Sequence, residues 1–144
     1  MKTVKGILDS KGQDLYTIGP DQTVLEALQA MEKHDIGSVV VIENGEIVGI
    51  LSERDYARKV ILKGKFSKDT PVREVMNDRA VCVGPGQSVD ACMALMTEHR
   101  TRHLPVRDDG KLEGIISIGD VVRAIIEDQK FTIDHLEHYI TGTT

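Results

Sequence analysis

The chain has 144 residues, of which 40% are hydrophobic and only 3% aromatic, and its formal net charge is −5. An acidic chain without a basic stripe interleaved with aromatic residues argues against a nucleic-acid partner. No apolar run approaches the roughly twenty residues of a membrane span, and no apolar leader follows Met1, so we expect a cytoplasmic protein without a membrane partner. Cys82 and Cys92 form no Cys-x-x-Cys motif, which argues against a disulfide framework and a zinc knuckle.

One segment occurs twice, at an offset of 65 residues. Residues 49–55 (GILSERD) correspond to residues 114–120 (GIISIGD), and each copy is an apolar run that ends at a serine. The correspondence continues without a gap on both sides, at Gly19/Gly84, Val24/Val89, Met31/Met96, Val41/Val106 and Arg58/Arg123. Each half is too short to bury a good core alone, so we expect two repeats that pack together.

The chain is expected to begin with a lead-in helix in residues 1–13. Val4, Ile7 and Leu8 lie at helical spacing there, and Gly12 favours a stop. We expect this helix to cap the first repeat.

The first repeat is predicted for residues 14–63. Its elements are a strand at 15–18, a helix from the capping box Thr23/Glu26 to about His34, strands at 38–42 and 46–51, and a helix at 52–62. The dipeptide Asn44-Gly45 tolerates the positive φ angles of a tight hairpin between the two later strands. The unit is therefore strand, helix, strand, strand, helix.

Residues 64–79 are predicted to be a linker with a short helix, in which Thr70 is the N-cap and Pro71 the first residue. The second repeat, residues 80–128, follows the same order, with a strand at 81–83, a helix at 88–99, strands at 103–107 and 112–116 and a helix at 117–128. In residues 129–144, apolar residues on one face predict a separate last helix that lies against the body or a partner subunit. The fold class is α+β, with two tandem βαββα repeats.

The motif Gly-apolar-apolar-Ser-x-x-Asp, which closes each copy of this unit, resembles the motif of cystathionine-β-synthase (CBS) domains. Two copies in register resemble a tandem CBS pair, a Bateman module, over residues 4–128. The resemblance implies repeats packed about a pseudo-twofold axis, with clefts between them that bind AMP, ADP, ATP, NAD(H) or S-adenosylmethionine. It also implies a disc-like homodimer, and a stand-alone regulatory module similar to small bacterial and organellar two-domain CBS proteins.

The residues at the two strand-to-helix transitions match the chemistry of an adenosine nucleotide. Ribose hydroxyls need an acceptor, and phosphates need donors such as hydroxyls and the backbone N–H groups of a helix start. The candidates for these roles are Ser52 and Asp55 in the first copy and Ser117 and Asp120 in the second. Gly119 permits a close approach of the ligand, whereas Arg54 at the matching position adds a positive charge. The two sites are therefore not equivalent.

Further candidates lie near the strands. Arg100, Arg102 and His103 precede or begin the strand predicted at residues 103–107 and offer positive charge to phosphates. The resemblance implies that residues at the Arg102 and His103 positions contact phosphate or ribose, and that Thr17 and Cys82 lie beside the base. The candidate nucleotide-binding residues are completed by Ile118 and by Arg58, which lies one turn beyond Asp55.

Two other interpretations concern the same residues. Ser-x-x-Asp at a helix start is also an ordinary capping arrangement, which is compatible with ligand binding. The pairs His99/His103 and His135/His138 have spacings found in metal sites, but no further ligands complete a tetrahedral set, so no metal is expected.

The function that the sequence favours is non-catalytic: binding of an adenine nucleotide or NAD(H) that signals energy or redox state to an unidentified partner protein. The alternative is a structural or interaction protein that acts through its dimer surface and has vestigial clefts. Enzymatic nucleotide hydrolysis is disfavoured because the chain lacks a Gly-rich Lys-Ser/Thr loop and a carboxylate cluster for a metal. Replacement of Asp120 by alanine is expected to weaken nucleotide binding and to leave the fold intact.

Overall fold

The computed structural model of the chain describes residues 2–12 and 15–141. The predicted boundary between residues 13 and 14 and the end of the predicted tail lie outside them. In chain order the elements are α1 (Val4–Lys11), β1 (Thr17–Ile18), α2 (Val24–His34), β2 (Ser38–Glu43), β3 (Glu46–Ser52), α3 (Glu53–Tyr56) with a π-helical continuation (Ala57–Ile61), α4 (Val72–Val75), α5 (Val89–His99), β4 (His103–Asp108), β5 (Lys111–Ser117) and α6 (Ile118–Thr141).

The elements form two compact units. The repeat-1 unit contains residues 15–80 and 109–113, and the repeat-2 unit contains residues 2–12, 81–108 and 114–141. In the repeat-1 unit, β1 pairs in parallel with β2, and β2 pairs antiparallel with β3. Its core consists of aliphatic and methionine side chains from the sheet and from the helices that cover it: Ile18, Val24, Ala27, Met31, Val39, Val41, Leu51, Val60, Val72 and Val75.

The first helix of each repeat has a sequence-encoded beginning and end. The Thr23 hydroxyl accepts a hydrogen bond from the Glu26 N–H, and Glu26 reaches back in a full capping box. Ser88 caps α5 in the same way, but without a returning carboxylate. Both helices end at a residue in the left-handed region, Asp35 or Arg100, each with a φ of 52°. The predicted helices at these positions are confirmed.

The helix α1 belongs to the repeat-2 unit, so the expectation that it caps the first repeat is wrong. Val4, Ile7 and Leu8 are buried in the same core as Val89 and Leu104. The reason is visible at an offset of 68 residues rather than 65, because TVKGIL at the start of α1 matches PVREVM at α4.

Backbone hydrogen bonds show that α1 and α4 occupy equivalent places. The Val4 N–H donates to the Gln87 carbonyl at 2.9 Å, and the Val72 N–H donates to the Gln22 carbonyl at 2.8 Å. Gln22 and Gln87 are themselves matched in the repeat. Each βαββα unit is therefore completed by the short helix that precedes the other repeat in the chain: α1 completes repeat 2, and α4 completes repeat 1.

The strand predicted at residues 81–83 is reduced to a single parallel bridge between Val83 and Val106, which is equivalent to the pair Ile18 and Val41. Val83 accepts from the Arg107 N–H and donates to the Pro105 carbonyl. Pro105 has no N–H to donate to the preceding residues, so the parallel ladder stops there.

Three helix predictions also need correction. The last two predicted helices, 117–128 and the tail helix, are one continuous α6, because the junction Asp128-Gln129-Lys130 contains no helix breaker. The linker helix α4 has Pro71 rather than Thr70 as its N-cap, since the Thr70 hydroxyl donates to the Phe66 carbonyl. The helix predicted at 52–62 changes to π-helical geometry at Ala57.

Candidate functional site

The two copies of the motif form two strand-to-helix junctions with the same backbone hydrogen bonding. We call residues 49–55 junction 1 and residues 114–120 junction 2. In junction 1 the Asp55 N–H donates to Ser52 Oγ at 3.2 Å, and the Ser52 N–H donates to Asp55 Oδ2 at 3.0 Å. In junction 2 the corresponding distances between Asp120 and Ser117 are 3.2 and 2.8 Å. The capping arrangement is therefore present in both copies.

A second hydrogen bond ties each helix start to the beginning of the neighbouring strand. The Glu53 N–H donates to the Gly37 carbonyl at 3.1 Å, and the Ile118 N–H donates to the Arg102 carbonyl at 2.8 Å. Arg102 and the half-buried His103 therefore lie beside junction 2 in the chain fold. Gly37 holds the position of Arg102 in junction 1, so that junction has no cation there.

Junction 2 contains a buried carboxylate between two cations. The Asp120 side chain is 5% exposed; its Oδ2 lies 2.8 Å from Lys11 Nζ, and its Oδ1 lies 2.6 Å from Arg123 Nη2. Lys11 Nζ also donates to the Ile115 carbonyl at 2.9 Å, which fixes the end of α1 against β5. Burial alone would raise the pKa of Asp120, but the hydrogen bonds from Lys11 and from Ser117 outweigh it and hold that pKa below its ordinary value.

Junction 1 has a weaker set of charges. Asp55 is half-buried, and its Oδ1 lies 3.4 Å from Nζ of Lys59, one turn later on the same helix. Lys59 Nζ also donates to the Val75 carbonyl at 3.2 Å. Arg58, the candidate one turn beyond Asp55, is exposed, and its neighbour Lys59 pairs with the carboxylate.

The glycine that opens each motif has a packing role. A Cβ at Gly49 would lie 2.8 Å from Met76 Sδ and 2.9 Å from the Asn77 carbonyl oxygen, and one at Gly114 would lie 2.8 Å from Leu8 Cδ2. These glycines let α4 approach the middle of β3 and α1 approach the middle of β5.

The remaining candidates have different surroundings. A Cβ at Gly119 would meet Ser117 Oγ and an Arg123 nitrogen at 3.6 Å, an ordinary contact distance, so no close approach within the chain requires a glycine here. The exposed Arg54 occupies the matching place in junction 1. Thr17 is exposed in β1, and Cys82 is half-buried just before the bridge at Val83.

Sequence reasoning missed two of the residues that hold the carboxylates. Lys59 had a signal, because a lysine four residues after an aspartate on a helix is a favourable pair. Lys11 could have been found only through the match between α1 and α4, which places it in the repeat-2 unit.

Comparison with known proteins agrees with this architecture. The family model of the CBS domain matches residues 4–62 and 72–127. The chain belongs to the CBS domain family. A CBS-domain protein of Burkholderia ambifaria has a solved structure that is 50% identical to this CBS pair, covers 89% of this chain and 96% of its own, and superposes with a TM-score of 0.85.

Two further relatives of the CBS pair are a mitochondrial protein and a CBS pair solved with bound ligands. CBSX3 of Arabidopsis thaliana, described as mitochondrial, is 38% identical over 97% of this chain and 72% of its own length. The CBS pair of protein MJ0100, solved with 5′-methylthioadenosine and S-adenosyl-L-methionine, is 24% identical, with a TM-score of 0.79 over 89% of this chain and 98% of that one. At this identity the likeness shows a shared fold.

Two features are absent from the described part of the CBS pair. No helix there is long and apolar enough to cross a membrane. Within residues 2–12 and 15–141, no group of three or more His, Cys, Asp or Glu side chains could hold a metal ion.

Proposed function

We propose that this CBS pair is a non-catalytic regulatory module that binds an adenosine-containing nucleotide, AMP, ADP, ATP or NAD(H), at junction 2. Binding signals energy or redox state to a partner protein by favouring one of two conformations, by no more than the difference in ligand affinity between them. We expect the module to act as a homodimer. The free thiols Cys82 and Cys92 are consistent with a reducing compartment such as the cytoplasm.

The observation that carries this proposal is the Asp120 carboxylate at the start of α6, held between Lys11 and Arg123. A carboxylate can accept both ribose hydroxyls, and the two cations can receive phosphates. The Arg123 side chain is 68% exposed, so it can turn from Asp120 to a phosphate without disturbing the core. Arg102 lies beside the same helix start and adds a second guanidinium.

The space for the ligand is provided by Gly119, which lacks a side chain beside Ser117 Oγ and Arg123. Backbone N–H groups at a helix start and the helix dipole both favour an anion at this position. The relative with bound 5′-methylthioadenosine and S-adenosyl-L-methionine has the same fold, but the ligand class proposed for this chain rests on the residues of junction 2.

Junction 1 is proposed as a weaker site. Its carboxylate, Asp55, lies 3.4 Å from Lys59 Nζ, and Gly37 supplies no side-chain charge where junction 2 has Arg102. We therefore expect a nucleotide to occupy junction 2 first.

Isothermal titration calorimetry with AMP, ADP, ATP, NAD, NADH and S-adenosylmethionine tests the proposal. One ligand should bind, and Asp120→Asn should weaken it about 10-fold to 100-fold, the scale of a lost charged hydrogen-bond acceptor. Asparagine keeps one oxygen for the Ser117 N–H, so the cap is disturbed less than in an alanine variant. Asp90→Asn, in the first turn of α5, is the matched control and should bind as the wild type does.

A second candidate is an interaction protein with vestigial binding sites. It is favoured by the fact that both carboxylates are already satisfied by groups of the same chain. Absence of heat with all six ligands, in protein shown to be folded, would favour this candidate. Release of phosphate from ATP in the presence of magnesium would contradict both.

A further inference from the structure

An apolar stripe runs along α6 from Val122 to Ile140, and no other described residue of the chain covers it. Every residue from 126 to 140 is exposed, whereas Val121 and Ala124 in the first turns are buried in the repeat-2 core. The apolar side chains of the stripe are 41% to 80% exposed and occur at Val122, Ile126, Ile133, Leu136 and Ile140. An apolar stripe of this kind on a helix ordinarily packs against another apolar surface.

The spacing of the stripe identifies the kind of partner. Together with Gln129, its members follow one another at alternating intervals of four and three residues: 122, 126, 129, 133, 136 and 140. This is a heptad pattern, with isoleucine at all three a positions and Val122, Gln129 and Leu136 at the d positions. At about 100° per residue the six positions fall within about 80° of the helix surface, well apart from the face that holds Val121.

The composition and size of the stripe fit a second copy of the same helix. In parallel coiled coils, β-branched residues at a with leucine at d favour two strands, and one polar core residue fixes the register. The stripe is about 28 Å long and leaves on the order of 300 Å² of apolar surface per copy. Two copies bury about 600 Å² at the a and d positions alone, half of a small specific interface of ~1,200 Å² before flanking residues are counted.

The charges disfavour a membrane surface as the occupant. Residues 127–140 contain four carboxylates and a single lysine, Lys130, so the segment is repelled by anionic lipid. A second copy meets no clash of like charges in a parallel pair, since Ile125 and Thr132 lie at the g positions that face Lys130 and Glu137 at e.

We propose that two copies of this chain associate through residues 122–140 of α6 as a parallel two-stranded coiled coil, independently of nucleotide binding. The association is reversible because the stripe is short and Gln129 interrupts its apolar core. The surface through which the two copies associate, residues 122–140, does not include either junction.

Analytical ultracentrifugation over a range of concentrations tests the surface. Ile133→Asp should weaken the association at least 100-fold, because the two copies would place carboxylates opposite each other in the core. Phe131→Asp is the matched control, since Phe131 is an exposed apolar residue of the same helix that lies off the stripe, and it should change the association less than threefold. Gln129→Ile should tighten the association at least tenfold.

An oligomer whose mass and dissociation constant are the same in Ile133→Asp as in the wild type would overturn the proposal. So would equal disruption by Phe131→Asp, or a wild-type chain that stays monomeric at the highest concentration. Circular dichroism checks that both variants fold. Ile133 and Phe131 are exposed in the single chain, so the melting temperatures of the variants should match that of the wild type within a few degrees.

Oxidative cross-linking tests the parallel orientation. In a parallel pair the two copies of residue 129 face each other, so Gln129→Cys should form a disulfide-linked dimer. Phe131→Cys and the wild type, which retains Cys82 and Cys92, give the background. Absence of a cross-link at position 129 above that background would overturn the parallel arrangement.

Discussion

Junction 1 and junction 2 have the same backbone and different electrostatics. Ser52 and Asp55 form the same reciprocal cap as Ser117 and Asp120, but the first carboxylate is half-buried beside one lysine of its own helix. The second is buried between Arg123 and Lys11, and Lys11 comes from a helix more than a hundred residues earlier in the chain. The duplicated sequence therefore keeps the junction, while residues outside the motif decide how it is charged.

The difference also shows how each unit depends on the short helix that completes it, α1 in the repeat-2 unit and α4 in the repeat-1 unit. In the repeat-2 unit α1 contributes both packing, through Leu8 against Gly114, and charge, through Lys11. In the repeat-1 unit α4 is half as long and contributes packing against Gly49, with the Val75 carbonyl accepting from Lys59. A change at Gly114 or Asp120 in junction 2 therefore also alters the contacts of α1.

The largest expected effect comes from the motif glycines. Gly49→Ala should cost about 3 kcal/mol of unfolding free energy, because its Cβ meets the Asn77 backbone oxygen, which cannot turn away. Gly114→Ala should cost about 1 kcal/mol, because it meets only the flexible Leu8 side chain. Urea denaturation followed by circular dichroism measures both. Equal losses, or a larger loss for Gly114→Ala, would show that the two close approaches are not as different as the geometry indicates.

The carboxylates sharpen the same comparison. Asp120→Asn should reduce the unfolding free energy by about 2 kcal/mol, because Lys11 and Arg123 lose a charged partner in a buried place. Asp55→Asn should cost about 1 kcal/mol, since its pair with Lys59 is longer and partly solvated. Thermal denaturation of the two variants measures the difference. Asp55→Asn proving the more damaging would reverse the ranking of the two junctions.

The pH dependence follows from the lowered pKa of Asp120. Its contribution to stability is complete above the ordinary pKa of 3.8 and is lost as the pH falls through the lower folded pKa, because the folded carboxyl then binds its proton less readily than the unfolded one. Lys11→Met should raise the folded pKa and remove about 1 kcal/mol at neutral pH. NMR titration of the Asp120 carboxyl between pH 6 and 2 measures this, with Lys59→Met as the control that leaves Asp120 unchanged. An unchanged Asp120 pKa in Lys11→Met would contradict the role given to Lys11.

The smallest difference is expected at the first helix of each repeat. Thr23→Ala should cost about 1 kcal/mol, because it breaks a full capping box, and Ser88→Ala about 0.5 kcal/mol, because its cap is one-sided. Differential scanning calorimetry at neutral pH resolves the two. A greater loss for Ser88→Ala would mean that the returning carboxylate of Glu26 adds nothing.

The local features of the fold were predictable because they depend on residues close in sequence. The hairpins at Asn44-Gly45 and Asp109-Gly110 have the positive φ angles that these dipeptides tolerate, and the serines cap where the motif places them. Lys11, the partner of Asp120 that lies on α1, was not predictable from the 65-residue repeat, because α1 matches α4 at an offset of 68 residues. The strand predicted at residues 81–83 is not formed in full, because Pro105 on the neighbouring strand β4 has no N–H to donate to it.

The measurement that tests the central claim most directly is an ¹⁵N-HSQC titration of the protein with the nucleotide that binds in calorimetry. The proposal predicts that the amide signals of Ser117, Ile118, Gly119 and Asp120 shift first and saturate at the calorimetric affinity, and that those of Ser52 to Asp55 shift only at higher concentration. Saturating shifts that avoid both junctions would contradict the proposed site, and shifts at junction 1 before junction 2 would contradict the ranking drawn from their charges.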